Sequence, residues 1–107
     1  AYVGHDGLMD FALEASYPAQ DKRVRETIIL ACISKRYYAP HLRTTGAQPL
    51  LWTTGLMAPE AYTLKAALAG WVRREAPTAV QERAAQAYNT YQKCGINGAR
   101  RLLVTGW

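Results

Sequence analysis

One run of the chain shows no alternation of apolar and polar positions: Thr27-Ile-Ile-Leu-Ala-Cys-Ile-Ser34. Its β-branched isoleucines favour a strand over a helix. Apolar residues at successive positions predict burial on both faces, as in the central strand of a parallel sheet covered by helices. The pattern predicts this strand over 28–33. Upstream, Tyr2-Val3-Gly4 reads as the end of another strand, followed by a polar turn, His5-Asp6-Gly7, whose glycine tolerates positive φ. Leu8 to Ala15 reads as either a short strand or a helical turn. Ser16 to Glu26 reads as a loop or a short helix leading into the strand.

After Ser34 the period changes. Tyr37, Tyr38, His41 and Leu42 recur at helical spacing and Gly46 stops the helix, although Pro40 opposes it unless it lies near the first turn. A third strand is predicted over 49–54. The 35–48 connection is long enough for a parallel crossover, which is right-handed as a rule, so 28–54 reads as a βαβ unit. Leu64, Ala67, Leu68, Trp71 and Val72 then fall on one face of a helix over about 58–74, with Pro59 in its first turn. Pro77 ends the linker, and Thr78 with Gln81 forms a capping-box pattern. Val80, Ala84, Ala87, Tyr88 and Tyr91 line a second helix over about 78–93, with Gly95 as its C-cap. Ile96 to Leu103 reads as a short helix, or Leu102-Leu103-Val104 as a last strand. The aromatic residues at helical spacing are expected in the core.

These elements make the chain α/β, with a mostly parallel sheet and helices on both faces, and residues 1–107 form a single domain. The length, 107 residues, suits one modest core. Half the residues are hydrophobic and a fifth are charged, as in an ordinary globular protein. No apolar run approaches a membrane span. The net charge of +5 comes from cations scattered along the chain, which argues for a solvated surface rather than a nucleic-acid footprint. Cys32 and Cys94 have neither metal-ligand spacing nor the look of a disulfide framework, so a reducing, cytoplasmic setting is expected. No metal or cofactor is called for: a phosphate-binding Gly-rich loop and a dinucleotide fingerprint are both missing. A phosphatase-like Cys-x5-Arg fails because position 38 is Tyr38. Gly95-Ile96-Asn97-Gly98 before Arg100-Arg101 matches a nucleic-acid-binding Gly-x-x-Gly loop over only four residues.

In open parallel sheets the ligand crevice lies at the carboxyl ends of the strands. Cys32 and Ser34 fall at that end of the 28–33 strand, and His5 falls at that end of the strand before it. If the two strands are neighbours, their backbones lie roughly 4.8 Å apart and both side chains enter one crevice. A His beside a Cys raises the thiolate fraction and protonates a leaving group. Backbone N–H groups near Gly7 and Cys32 are candidate oxyanion donors. Asp6 and Asp10 are candidate orienters of His5, with turn and cap roles as the alternative. Thr53 and Thr54 end the next strand and are candidate crevice-lining residues.

Gly4-His5-Asp6-Gly7 after one strand and Ile29-Leu30-Ala31-Cys32-Ile33-Ser34 ending another resemble the caspase-like cysteine peptidases, a group that includes caspases, legumains, gingipains and the CHAT domains. The Gly46-Ala47 turn, a strand containing Trp52 and a following helix extend the resemblance over about 1–75. The Gly-His-Asp-Gly-Leu-Met-Asp-Phe stretch is also similar to that of uncharacterised bacterial proteins. The resemblance implies a three-layer caspase-like fold of which this chain is the C-terminal part, with strands upstream of the His strand missing. It implies Cys32 as nucleophile, His5 as general base and acid, Gly7 near the oxyanion site and a small residue at Ser34. The substrate it implies is a peptide or protein. In that family a glycine directly follows the histidine; here Asp6 stands between them. A non-catalytic scaffold or interaction module on the same fold is the alternative, and a basic nucleic-acid binder through 93–101 a third.

Overall fold

Thr27, Ile28 and Ile29 sit in a strand, but it is shorter than the apolar run suggests: β2 spans Glu26–Leu30. It stops because Ile33 adopts a left-handed conformation (φ 51°, ψ 31°) and Ser34 opens the next helix, α1, Ser34–Thr45. The computed structural model describes every residue of the chain, 1–107. The other strands are β1 (Tyr2–Val3), β3 (Gln48–Thr53) and β4 (Leu103–Val104), and the other helices are α2 (Ala61–Val72), α3 (Pro77–Gln92) and α4 (Ile96–Leu102). The sheet has the order β1-β2-β3-β4. β1, β2 and β3 run parallel, in the expected order, and β4 adds an antiparallel edge. The fold is therefore α/β, with a mixed four-stranded sheet and four helices.

Pro49 explains an irregularity in β3. Thr27 pairs with Pro49 but Ile28 pairs with Leu51, so Leu50 is an extra residue in the ladder. Proline has no N–H to donate, and a bulge beside it is the ordinary accommodation. The bulge breaks the side-chain alternation, and Leu50 and Leu51 both enter one core cluster with Ile28, Leu30, Val80, Ala84 and Leu103. Ile29, Ala31 and Trp52 enter a second cluster, closed by Leu42, Tyr38 and Ala39 of α1. That packing holds α1 together with Pro40 well inside it, beyond the first turn.

The helices differ from expectation at their ends. α2 begins at Ala61, so Pro59 precedes it and Glu60 is its N-cap. Its stripe runs out at Trp71 and Val72, which are exposed; Trp71 instead donates its indole N–H to Glu26 (2.8 Å). Tyr91 is exposed too, so the aromatic residues at helical spacing divide between core and surface. The capping box does not form: Pro77 takes the first position of α3, Ala76 is its N-cap, and Gln81 donates to Leu103 O (2.8 Å). Lys93, not Gly95, closes α3 in the left-handed region, and Gly95 (φ 81°) starts α4. The last segment contains both elements that the sequence offered as alternatives. Leu8 to Ala15 holds a 3-10 turn at Gly7–Met9 and no strand, and the chain then reaches Glu26 without a helix. No helix is long and apolar enough to cross a membrane.

Candidate active site

Tyr2 of β1 lies beside Ile29 and Val3 beside Leu30. The Gly4 amide still donates to Leu30 O (3.1 Å). The pairing stops at Val3–Leu30, and His5 and Cys32 each follow just past the carboxyl end of one of these two adjacent parallel strands; the Cys32 thiol turns to Met57, whereas His5 borders Tyr2 and Tyr38. Cys32 therefore lies in the turn after β2, not within the strand.

That turn is held from below. Ser34 and Thr53 are completely buried. The Ser34 amide donates to Thr53 Oγ1 (3.1 Å), the Thr53 amide donates to Ser34 Oγ (3.0 Å), and Ser34 Oγ donates to Ile29 O (2.9 Å). Thr53 Oγ1 also donates to Ala31 O. The Ile33 amide donates to Gly55 O (2.9 Å). Ser34 and Thr53 thus brace the turn from inside instead of lining a crevice. Thr54 is exposed, with its hydroxyl on Arg101 O (2.7 Å), the carbonyl near the end of α4. A left-handed conformation costs an L-residue about 1–2 kcal/mol, and for a β-branched residue such as Ile33 it is an outlier of the kind found at functional sites.

Cys32 is half-buried, with Sγ 3.5 Å from Met57 O and 3.4 Å from the Met57 amide. The thiol donates to the carbonyl; a thiolate would accept from the N–H. No acceptor within the chain takes the Cys32 N–H. By contrast the Gly7 amide, the other oxyanion candidate, donates to His5 O (3.1 Å) and closes the turn. A β-carbon at Gly7 would stand 2.8 Å from the ring of Phe11, an exposed side chain with room to move aside.

His5 is exposed, and its Nε2 lies 2.5 Å from Asp10 Oδ2. An ionised Asp10 accepts, so Nε2 carries the proton and Nδ1 is left as the base. Asp6 faces inward. It is fully buried, accepts from the Leu8 amide through Oδ1 (3.1 Å), and leaves Oδ2 without a partner. Burial pushes its carboxyl up from the ordinary value, against the Leu8 hydrogen bond and His5, which pull it down. Burial, with Asp6 and Tyr2 nearby, pushes the Tyr38 phenol up to about 12. The sequence left Asp6 and Asp10 equivalent; the 3-10 turn swings Asp10 onto the ring and uses Asp6 as its cap.

An open cavity of about 470 Å³ borders His5, Tyr2, Leu8, Phe11 and Tyr38. Cys32 lines none of the four surface cavities. Two features escaped the sequence reading. The Met57 contact joins residues 25 apart, with Met57 in the aperiodic loop between β3 and α2, and the left-handed Ile33 has no Gly or Asn to signal it. No three or more His, Cys, Asp or Glu side chains cluster as metal ligands do. Of the two arginines after Gly98, Arg100 is held by Glu82 (2.7 and 2.9 Å). Comparison of the chain with protein-family profiles, curated proteins and solved structures finds no match.

Proposed function

We propose that this chain carries the catalytic end of a three-layer, caspase-like domain and hydrolyses peptide bonds through Cys32 and His5. One observation supports the reading: β1 and β2 pair in parallel, and His5 and Cys32 follow their carboxyl ends, Cys32 next to the left-handed Ile33. His5 Nδ1 takes the thiol proton. The thiolate attacks the scissile carbonyl, and the Cys32 N–H, which has no acceptor within the chain, is free to donate to the developing oxyanion. The C–N bond breaks as His5 returns the proton to the leaving amine. Water, deprotonated by His5, then hydrolyses the thioester and frees Cys32.

The test is the rate of alkylation by iodoacetamide. Cys94 is the more exposed thiol. Faster labelling of Cys32 than of Cys94, slowed by His5→Ala, supports an activated nucleophile; labelling of Cys32 no faster than Cys94 removes it. A second reading, a non-catalytic module on the same scaffold, is favoured by the attachment of Cys32 Sγ to the Met57 backbone and by its separation from every cavity. It predicts that Cys32→Ala leaves the protein's cellular role intact.

A further inference from the structure

His5 borders a cavity that Cys32 does not reach. Acyl transfer gives the two sides of a peptide different partners: the acyl half ends on sulfur, and the amine half must lie against the group that protonates it. We propose, resting on the peptidase reading above, that this cavity holds the side chain of the residue that follows the scissile bond, and that it selects a large apolar or aromatic one.

Its walls carry the chemistry for that choice. The rings of Tyr2, Phe11 and Tyr38 and the side chains of Leu8 and Leu13 supply apolar surface, and no carboxylate, ammonium or guanidinium group lines it. The Tyr2 and Tyr38 rings stand 6.1 Å apart in a tilted pair, a spacing that suits further aromatic contacts. Phe11 and Leu13 are among the chain's exposed large apolar residues and are accessible to a ligand. His41 borders the same cavity from α1 and provides a second reporter beside His5.

The test uses internally quenched peptides, randomised on the acyl side, with Gly, Asp, Lys, Leu or Phe after the scissile bond. The expected kcat/KM for Leu and Phe exceeds that for Gly by about tenfold or more, and the ratio falls toward unity in a Leu13→Asp chain. Cleavage without that ratio overturns the inference and leaves the peptidase reading standing. If no peptide is cut, the peptidase reading fails, and the cavity is read directly: Phe-Gly amide is titrated into the Cys32→Ala chain while the His5 and His41 ring resonances are followed by NMR. Saturable shifts at both rings, abolished by Leu13→Asp, support an aromatic side-chain site. Unmoved resonances overturn it.

Discussion

Ser34 and Thr53 exchange two hydrogen bonds in the core, each amide donating to the other residue's hydroxyl at 3.0–3.1 Å. The pair ties the turn after β2 to the end of β3 and so sets the height of Cys32 above the sheet. Ser34→Ala leaves the buried Thr53 amide without its acceptor, and Thr53→Val does the same to the Ser34 amide. Each is expected to cost about 1–3 kcal/mol by urea denaturation. A double-mutant cycle is expected to show coupling of about 0.5–3 kcal/mol.

His5 depends on Asp10 for its tautomer. In the peptidase reading His5→Ala lowers peptide hydrolysis by about a hundredfold or more. Asp10→Asn lowers it less, because the ring remains but the proton is no longer confined to Nε2. Nitrogen-15 shifts of the His5 ring measure the tautomer directly: wild type is expected to hold the proton on Nε2, and Asp10→Asn to show a mixture.

Asp6 works against stability at neutral pH. Its folded-state carboxyl titrates above the ordinary 3.8, so its favourable contribution is complete below that value and is lost as pH rises through the raised one. Asp6→Asn keeps an acceptor for the Leu8 amide and removes the buried charge. Its Tm is expected to exceed that of the wild type at pH 7, with the advantage disappearing near pH 3. Equal Tm differences at both pH values would count against a buried Asp6 charge.

Glu82 has the opposite sign. Its hydrogen bonds from Arg100 first, then Gln86, hold its carboxyl down to about 2, from 4.5. The ion pair therefore contributes above pH 4.5 and is lost as pH falls through about 2. Because the pair is partly exposed, the effect is expected to be small and to shrink with added salt. Glu82→Gln is expected to flatten the acid limb of the Tm–pH curve. It also releases Arg100, whose donors then turn to Asn97 or solvent.

The core strands, the three long helices and the order of the first three strands were all legible in the sequence. Each rests on the spacing of apolar residues or on a local stop such as Gly46, and such signals are written within a few positions. What needed the tertiary structure involves partners far apart in the chain. Thr78 and Gln81 match a capping box, but Gln81 found Leu103 O across the α3–β4 contact. Ile33 has no intrinsic preference for the left-handed region; Ser34, Thr53 and Gly55 hold it there. Leu50 and Leu51 share a face only because the bulge beside Pro49 shifts the pairing with β2. Asp6 and Asp10 were indistinguishable as orienters, since either stands close enough to His5 in the chain. The direction of the 3-10 turn put one carboxylate on the imidazole and buried the other, an outcome set by how that turn packs against its surroundings.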